Sequence, residues 1–199
     1  MYNERKQKAR ERFKDFVATV VLRNEQFFIV DWRDKSGSGN YAVRYLLDIE
    51  KGNFIVTGDL GDSVASWFNR VTPENLKSYI NDIGYYMGKF QTTSDQYTYD
   101  QDDVAEDLEN VKEEILSECP NLYQDEVDAD FEKMQELLDD MDLGKNNNYT
   151  DELTELFEKY NDDWWDSDFA NLGCRTSQRV VLWAVGFQMA WEQLGIYRR

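Results

Sequence analysis

The sequence predicts an α+β protein in which a small N-terminal antiparallel sheet packs with several helices, followed by an acidic helical region and a buried C-terminal helix. Three observations carry this. Apolar residues alternate with period two between residues 28 and 57, they recur at helical spacing from residue 72 onward, and Thr176 to Leu194 is apolar nearly all round. With 199 residues, 41% of them hydrophobic and 15% aromatic, the chain can bury a substantial core. It reads as a single domain, 1–199, or one domain with a helical extension. The segments are a basic helix (1–17), an antiparallel sheet (18–60), a helical stretch (61–94), an acidic helical region (95–168) and a core helix (175–195).

At the start, Arg5, Lys6, Lys8, Arg10, Arg12 and Lys14 share a segment with Ala9, Phe13 and Phe16 at helical spacing, the mark of an amphipathic first helix. Its basic face suits either nucleic acid or, more simply, solvent and the chain's own acidic helices. Strands follow at Phe28, Val30, Trp32 and at Val43, Tyr45, Leu47, Ile49, separated by Lys35 to Asn40. Glu50-Lys51-Gly52-Asn53 turns the chain into Phe54 to Thr57, and Thr19 to Leu22 supplies a further strand of the meander.

Thr57-Gly58-Asp59-Leu60-Gly61-Asp62 reads as a strand-to-helix turn with Asp62 capping a helix from Ser63; its two carboxylates also make it a candidate metal or small-ligand loop. Thr72 before Pro73 opens a helix whose stripe is Leu76, Ile80, Ile83, Met87 and Phe90. Val104, Leu108, Val111 and Ile115 define another. Val127, Phe131, Met134, Leu138 and Met141 define a third, ending near Gly144, and Thr150 caps a fourth with Leu153, Leu156, Phe157 and Tyr160 inward. The last helix, with Val180, Trp183, Phe187 and Trp191 on one face and Val181, Val185 and Met189 on another, closes at Gly195.

The charge is segregated. Residues 95–168 hold 27 Asp and Glu against four Lys, a net of −23 in a chain of net −18. From Gln101 to Glu118 the acids are Asp102, Asp103, Glu106, Asp107, Glu109, Glu113, Glu114 and Glu118. The next helix carries Asp125, Glu126, Asp128, Asp130, Glu132, Glu136, Asp139, Asp140 and Asp142. Eighteen helical residues rise about 27 Å, so the first of these helices presents one negative charge per roughly 3.4 Å, the linear density of one DNA strand. Crowding like charges costs stability, so an incidental solvent face would be diluted with Lys. Such a surface complements a basic groove built for nucleic acid and competes with DNA or RNA rather than binding it. The plain alternative is a highly soluble acidic surface. Trp164 and Trp165, set among acids, are candidate partner anchors, at least one of them expected in the core.

The absence of His removes the commonest general base and zinc ligand and every Ser/His or Cys/His pairing, so no catalytic residue, cofactor or specific metal site is expected. Asp125 to Glu136 lacks the central Gly of a calcium loop. Cys119 and Cys174 read as reduced structural thiols, and no stretch is apolar enough to span a bilayer, which predicts a cytoplasmic protein.

The run Phe54 to Trp67, the helix opening Thr72-Pro73-Glu74-Asn75-Leu76 and the segment Arg179 to Trp191 resemble small acidic proteins carried by bacteriophages and mobile elements of Gram-positive bacteria, some of which are anti-CRISPR inhibitors. The resemblance implies a host defence nuclease complex as partner, in the infected bacterial cell. A DNA-mimic inhibitor would place its contacts on Asp102, Asp103, Glu106, Asp107, Glu109, Glu113, Glu114, Asp128, Asp130, Glu132, Glu136, Asp139 and Asp140, with Trp164 and Trp165. The basic first helix departs from a pure mimic and suits contact with guide RNA or acidic patches of the partner. The sequence leaves open an anti-restriction mimic, a phage adaptor engaging another protein through Trp164 and Trp165, and a small-ligand protein using the Gly58 to Asp62 loop.

Overall fold

A computed structural model describes residues 2–37, 41–141 and 149–196. The chain divides into two compact units, Met1–Gln96 with Ser177–Arg199, and Tyr97–Thr176.

In the first unit, helix α1 (Tyr2–Arg12) leads into a six-stranded antiparallel sheet in sequence order: β1 (Phe16–Arg23), β2 (Phe27–Asp34), β3 (Val43–Asp48), β4 (Asn53–Gly58), β5 (Ser63–Ser66) and β6 (Phe90–Thr93). Sequential order follows from short antiparallel connections. The inward-facing residues are those the alternation marks: Phe28, Val30, Trp32, Val43, Tyr45, Leu47, Phe54 and Val56 are all buried. Against them lies α7 (Gln178–Gln193), buried on nearly every side as its all-round apolarity requires and capped by the Ser177 hydroxyl, which accepts from Val180 N. Tyr45 donates from its hydroxyl to the Trp183 carbonyl at 3.1 Å, and Phe187 and Trp191 pack edge-on to the Tyr45 ring. Gly186 permits this approach: a Cβ there would lie 2.5 Å from the Tyr45 hydroxyl.

Three expectations for residues 61–94 are corrected. Ser63 opens strand β5, so Gly58 to Asp62 is a hairpin connection and not a strand-to-helix turn. The Thr72-capped helix is two helices, α2 (Pro73–Asn81) and α3 (Ile83–Met87). Asp82 takes extended backbone between them and caps the second by accepting from Tyr85 N. Phe90 belongs to β6, although its side chain still packs on the core, because helix and strand can present one apolar residue to the same place. At the N-terminus the helix stops at Arg12 and Phe16 opens β1, with Ala9, Phe13 and Phe16 all buried.

In the second unit, β7 (Tyr97–Tyr99) pairs with β8 (Cys174–Thr176), and helices α4 (Gln101–Glu118), α5 (Gln124–Asp139) and α6 (Asp151–Tyr160) enclose a separate core. Val104, Leu108, Val111, Val127, Phe131, Met134, Leu138, Leu153 and Phe157, from the stripes read in the sequence, are buried in it together with Phe169 and Leu172. Thr150 caps α6 as expected, its hydroxyl accepting from Leu153 N. Helix α5 ends at Asp139, and the proposed end at Gly144 lies outside the described residues.

Candidate functional site: a carboxylate-bordered groove

Helices α4 and α5 run antiparallel. Gln101 at the start of α4 donates to Asp139 at the end of α5 (3.0 Å), and Lys112 reaches Asp128 (2.9 Å). With both apolar stripes turned to the shared core, helical periodicity sorts the carboxylates of each helix into two flanks.

One flank of each helix is tied down. On α4, Arg175 lies bidentate on Asp107, with Nη1 and Nη2 at 2.7 and 2.8 Å, and its Nε sits 3.4 Å from Asp103. Gly173 N–H donates to Asp107 as well, at 2.9 Å. On α5, Lys159 bridges Glu126 (2.6 Å) and Asp130 (2.5 Å), and the Tyr160 hydroxyl donates to Asp130 at 2.7 Å. Burial opposes ionisation of Asp130, but the bonds from Lys159 and Tyr160 outweigh it and hold the carboxyl below its usual value. Lys133 pairs with Glu152.

The other flanks face each other across a groove of about 510 Å³ floored by Leu108 and Phe131. On the α4 side Glu109 lines the groove beside Ala105 and Lys112, while Asp102, Glu106 and Glu113 follow at spacings of four and seven residues on the solvent face of the helix, Glu106 close enough to Arg175 to act on its charge. The α5 side carries Asp128 and Glu132, with Asp139 tied to Gln101 and Gln135 at one end, whereas Glu136 stands on the solvent face near Lys133. Lys112, touching Glu109 (3.4 Å) and Asp128, is the cation that bridges the two sides of the groove among the described residues. Asp139 is held by amides, Gln101 first and Gln135 second, which keep its carboxyl below the usual value. Asp102, Glu106, Glu113, Glu132, Glu136 and Asp140 are exposed and form no ion pair among the described residues. Glu114 faces elsewhere, bordering a cleft of about 260 Å³ floored by Val111, Ile115 and Phe169.

The thirteen acids named from the sequence therefore separate by role. Asp103, Asp107 and Asp130 are half-buried and knit the unit together, Asp128 is half-buried and paired with Lys112, and Asp102, Glu106, Glu109, Glu113, Glu114, Glu132, Glu136, Asp139 and Asp140 are displayed. The two tryptophans separate as well. Trp164 packs on Tyr149 and Phe157 at the core's edge, and Trp165 is 60% exposed. Arg175 was missed because it lies beyond the acidic segment, 68 residues from Asp107, and no local spacing joins the two. Lys159, visible as one of four lysines, gave no sign of serving two acids on another helix.

The basic first helix finds partners within its own unit. Lys8 and Lys14 pair with Glu4 and Glu11, and Arg10 meets Glu192 of α7 at 3.1 Å. In the Gly58 to Asp62 hairpin, the Asp59 carboxylate accepts from Ala42 N at 2.8 Å. No group of three or more Cys, Asp and Glu is arranged to hold a metal ion among the described residues. Cys119 is exposed at the end of α4 and Cys174 lies in strand β8; both are free. No described helix is long and apolar enough to cross a membrane.

A carboxylate-bordered groove on a helical unit joined to a six-stranded antiparallel sheet defines an acidic α+β protein whose displayed chemistry is charge. Residues 34–184 match the phage family Phage_phiTE_072, and the chain belongs to that family. No curated protein and no solved structure matches it significantly.

Proposed function

We propose that this phage protein is a non-catalytic inhibitor that occupies the nucleic-acid channel of a host CRISPR effector and blocks target DNA. The observation that supports this reading is the pair of antiparallel helices flanking the α4–α5 groove, each with a line of exposed carboxylates, of which Glu109, Asp128 and Glu132 line the groove itself. Two parallel lines of negative charge flanking a depression are what a basic channel meets in the two phosphate strands beside a duplex groove. Asp102, Glu106, Glu109 and Glu113 along α4, and Asp128, Glu132, Glu136 and Asp139 along α5, give about one charge per 5.5 Å of helix, sparser than a single phosphate strand. This charge is offered on a rigid scaffold, so little ordering entropy is lost on binding. The tied flanks serve the same end, since Arg175 and Lys159 anchor the helices by carboxylates the groove does not use.

Glu106, Glu113, Glu132 and Glu136 changed together to Lys abolish inhibition and effector capture while leaving the far-UV circular dichroism intact; a variant that still inhibits refutes the mimicry. Co-purification of the tagged protein with candidate effectors, then DNA competition at low and high salt, identifies the target. Capture that weakens steeply with salt and excludes DNA agrees with the reading. Protection from a restriction enzyme instead redirects it to an anti-restriction mimic. The exposed Trp165 supports a second reading, a protein adaptor, in which Trp165→Ala alone ablates partner capture and salt has little effect.

A further inference from the structure

The six-stranded sheet has one face on α7 and the other outside both hydrophobic cores. On that outer face the strand registers place Leu22 opposite Ile29, Ile29 opposite Leu46, Leu46 opposite Ile55, and Ile55 opposite Val64. These five aliphatic side chains form one unbroken row across five strands. Leu22 is 39% exposed and the other four are part-exposed; none of the five packs into either core. A cleft of about 520 Å³ lies over the β4–β6 end of the row, and Val17 and Val21 extend the apolar surface at the β1 edge, 45% and 49% exposed. A polar residue at any of these positions would satisfy the alternation, as Thr92 of β6 opposite Val64 does, so an aliphatic in each of β1 to β5 marks an interaction surface.

We propose that this face is the interface of a homodimer, a second copy packing sheet on sheet through the Leu22–Ile29–Leu46–Ile55–Val64 row. Charge selects the occupant. Above the row, Asp31 is paired with Arg44 (2.6 Å) and with Arg33 (3.4 Å); below it lie Asp48, Asn53 and Ser66, the last two hydrogen-bonded at 2.7 Å. Asp31, Asp48 and Asp62 against Arg33 and Arg44 leave the face close to neutrality in a chain of net −18, which suits neither a nucleic acid nor a strongly basic partner. A two-fold axis along the row sets the arginine side of each copy over the Asp48–Asn53–Ser66 side of the other, whereas an axis along the strands would oppose arginines. The first arrangement is self-complementary, as an isologous contact requires. Six strands at about 4.8 Å by some 20 Å of strand give a patch on the order of 500 Å² in projection, commensurate with the roughly 800 Å² of accessible surface per partner in a stable interface.

The test is light scattering and sedimentation of the full chain over a concentration series at low and high salt. Dimers that strengthen with salt are expected, because salt screens the repulsion between two anionic chains and leaves apolar burial intact. Leu46→Lys and Ile55→Lys, on an outward face, raise the dissociation constant by on the order of tenfold or more with circular dichroism and melting preserved. Leu46→Cys in a Cys119→Ser, Cys174→Ser background forms an intermolecular disulfide on mild oxidation, and Lys6→Cys in that background does not. A monomer at every concentration and salt, a dimer indifferent to both lysine substitutions, or a face that captures a lipid vesicle or another protein without self-association overturns the proposal.

Discussion

Arg175 grips Asp107 with both terminal nitrogens, 2.7 and 2.8 Å from the two carboxylate oxygens, and thereby fastens strand β8 to helix α4 across 68 residues of sequence. The Gly173 N–H fills a further acceptor site on the same carboxylate. Asp107 is thus a structural acid in a crowd of displayed ones. Asp107→Ala strands a half-buried guanidinium and should cost about 1–3 kcal/mol, read as a lowered denaturant midpoint. Glu113→Ala, exposed and without an ion pair among the described residues, should stay within about 0.5 kcal/mol of the parent. Equal losses at both positions would contradict this division.

The adjacent tryptophans should behave differently. Trp164 contacts Phe157 and Tyr149 with ring centroids 5.5 and 5.6 Å apart, so Trp164→Ala should lower stability by about 2–3 kcal/mol. Trp165→Ala should change it by less than about 0.5 kcal/mol, as expected for a side chain that is 60% exposed. Thermal melts of the two variants decide.

Asp130 sets a pH dependence. Its folded pKa lies below its unfolded one, so the stabilisation is complete above the ordinary carboxylate range and is lost as pH falls through the lower folded value. Acid titration of melting temperature should therefore fall below about pH 4. Asp130→Asn should flatten part of that fall while lowering stability at neutral pH. An unchanged acid limb would remove Asp130 from the account.

Gly186 lies where α7 crosses the sheet. Gly186→Ala adds a methyl 2.5 Å from the Tyr45 hydroxyl and 3.1 Å from Trp32 Nε1, and neither ring has room to withdraw in a fully buried site. The gain in helix propensity, about 1 kcal/mol, should be outweighed by overpacking of about 1–3 kcal/mol, with loss of the near-UV signal before the far-UV signal. A stabilised variant would mean that α7 slides freely on the sheet.

The elements most readable in the sequence were those whose periodicity alone decides burial. The β2–β4 meander, the stripes of α4, α5 and α6, and the all-round apolar α7 follow from alternation or 3.6-residue spacing, because water expels those side chains wherever the chain goes. Residues 61–94 were misread for the same reason in reverse. Leu76, Ile80, Ile83, Met87 and Phe90 keep helical spacing across a break at Asp82 that only the backbone reveals. Short strands such as β5 offer too few residues for alternation to outweigh a neighbouring helical stripe.

For the candidate site, the sequence alone established that the negative charge is concentrated in residues 95–168 and which two helices carry most of it. Only tertiary structure decided which carboxylates are displayed. Sorting depends on cations that arrive from distant positions, Arg175 onto α4 and Lys159 onto α5, and on the antiparallel docking that brings Glu109, Asp128 and Glu132 to one groove. A linear sequence specifies the spacing of charges along a helix, but the partner of each charge is fixed by contacts between residues far apart in the chain, and those exist only once the cores have closed.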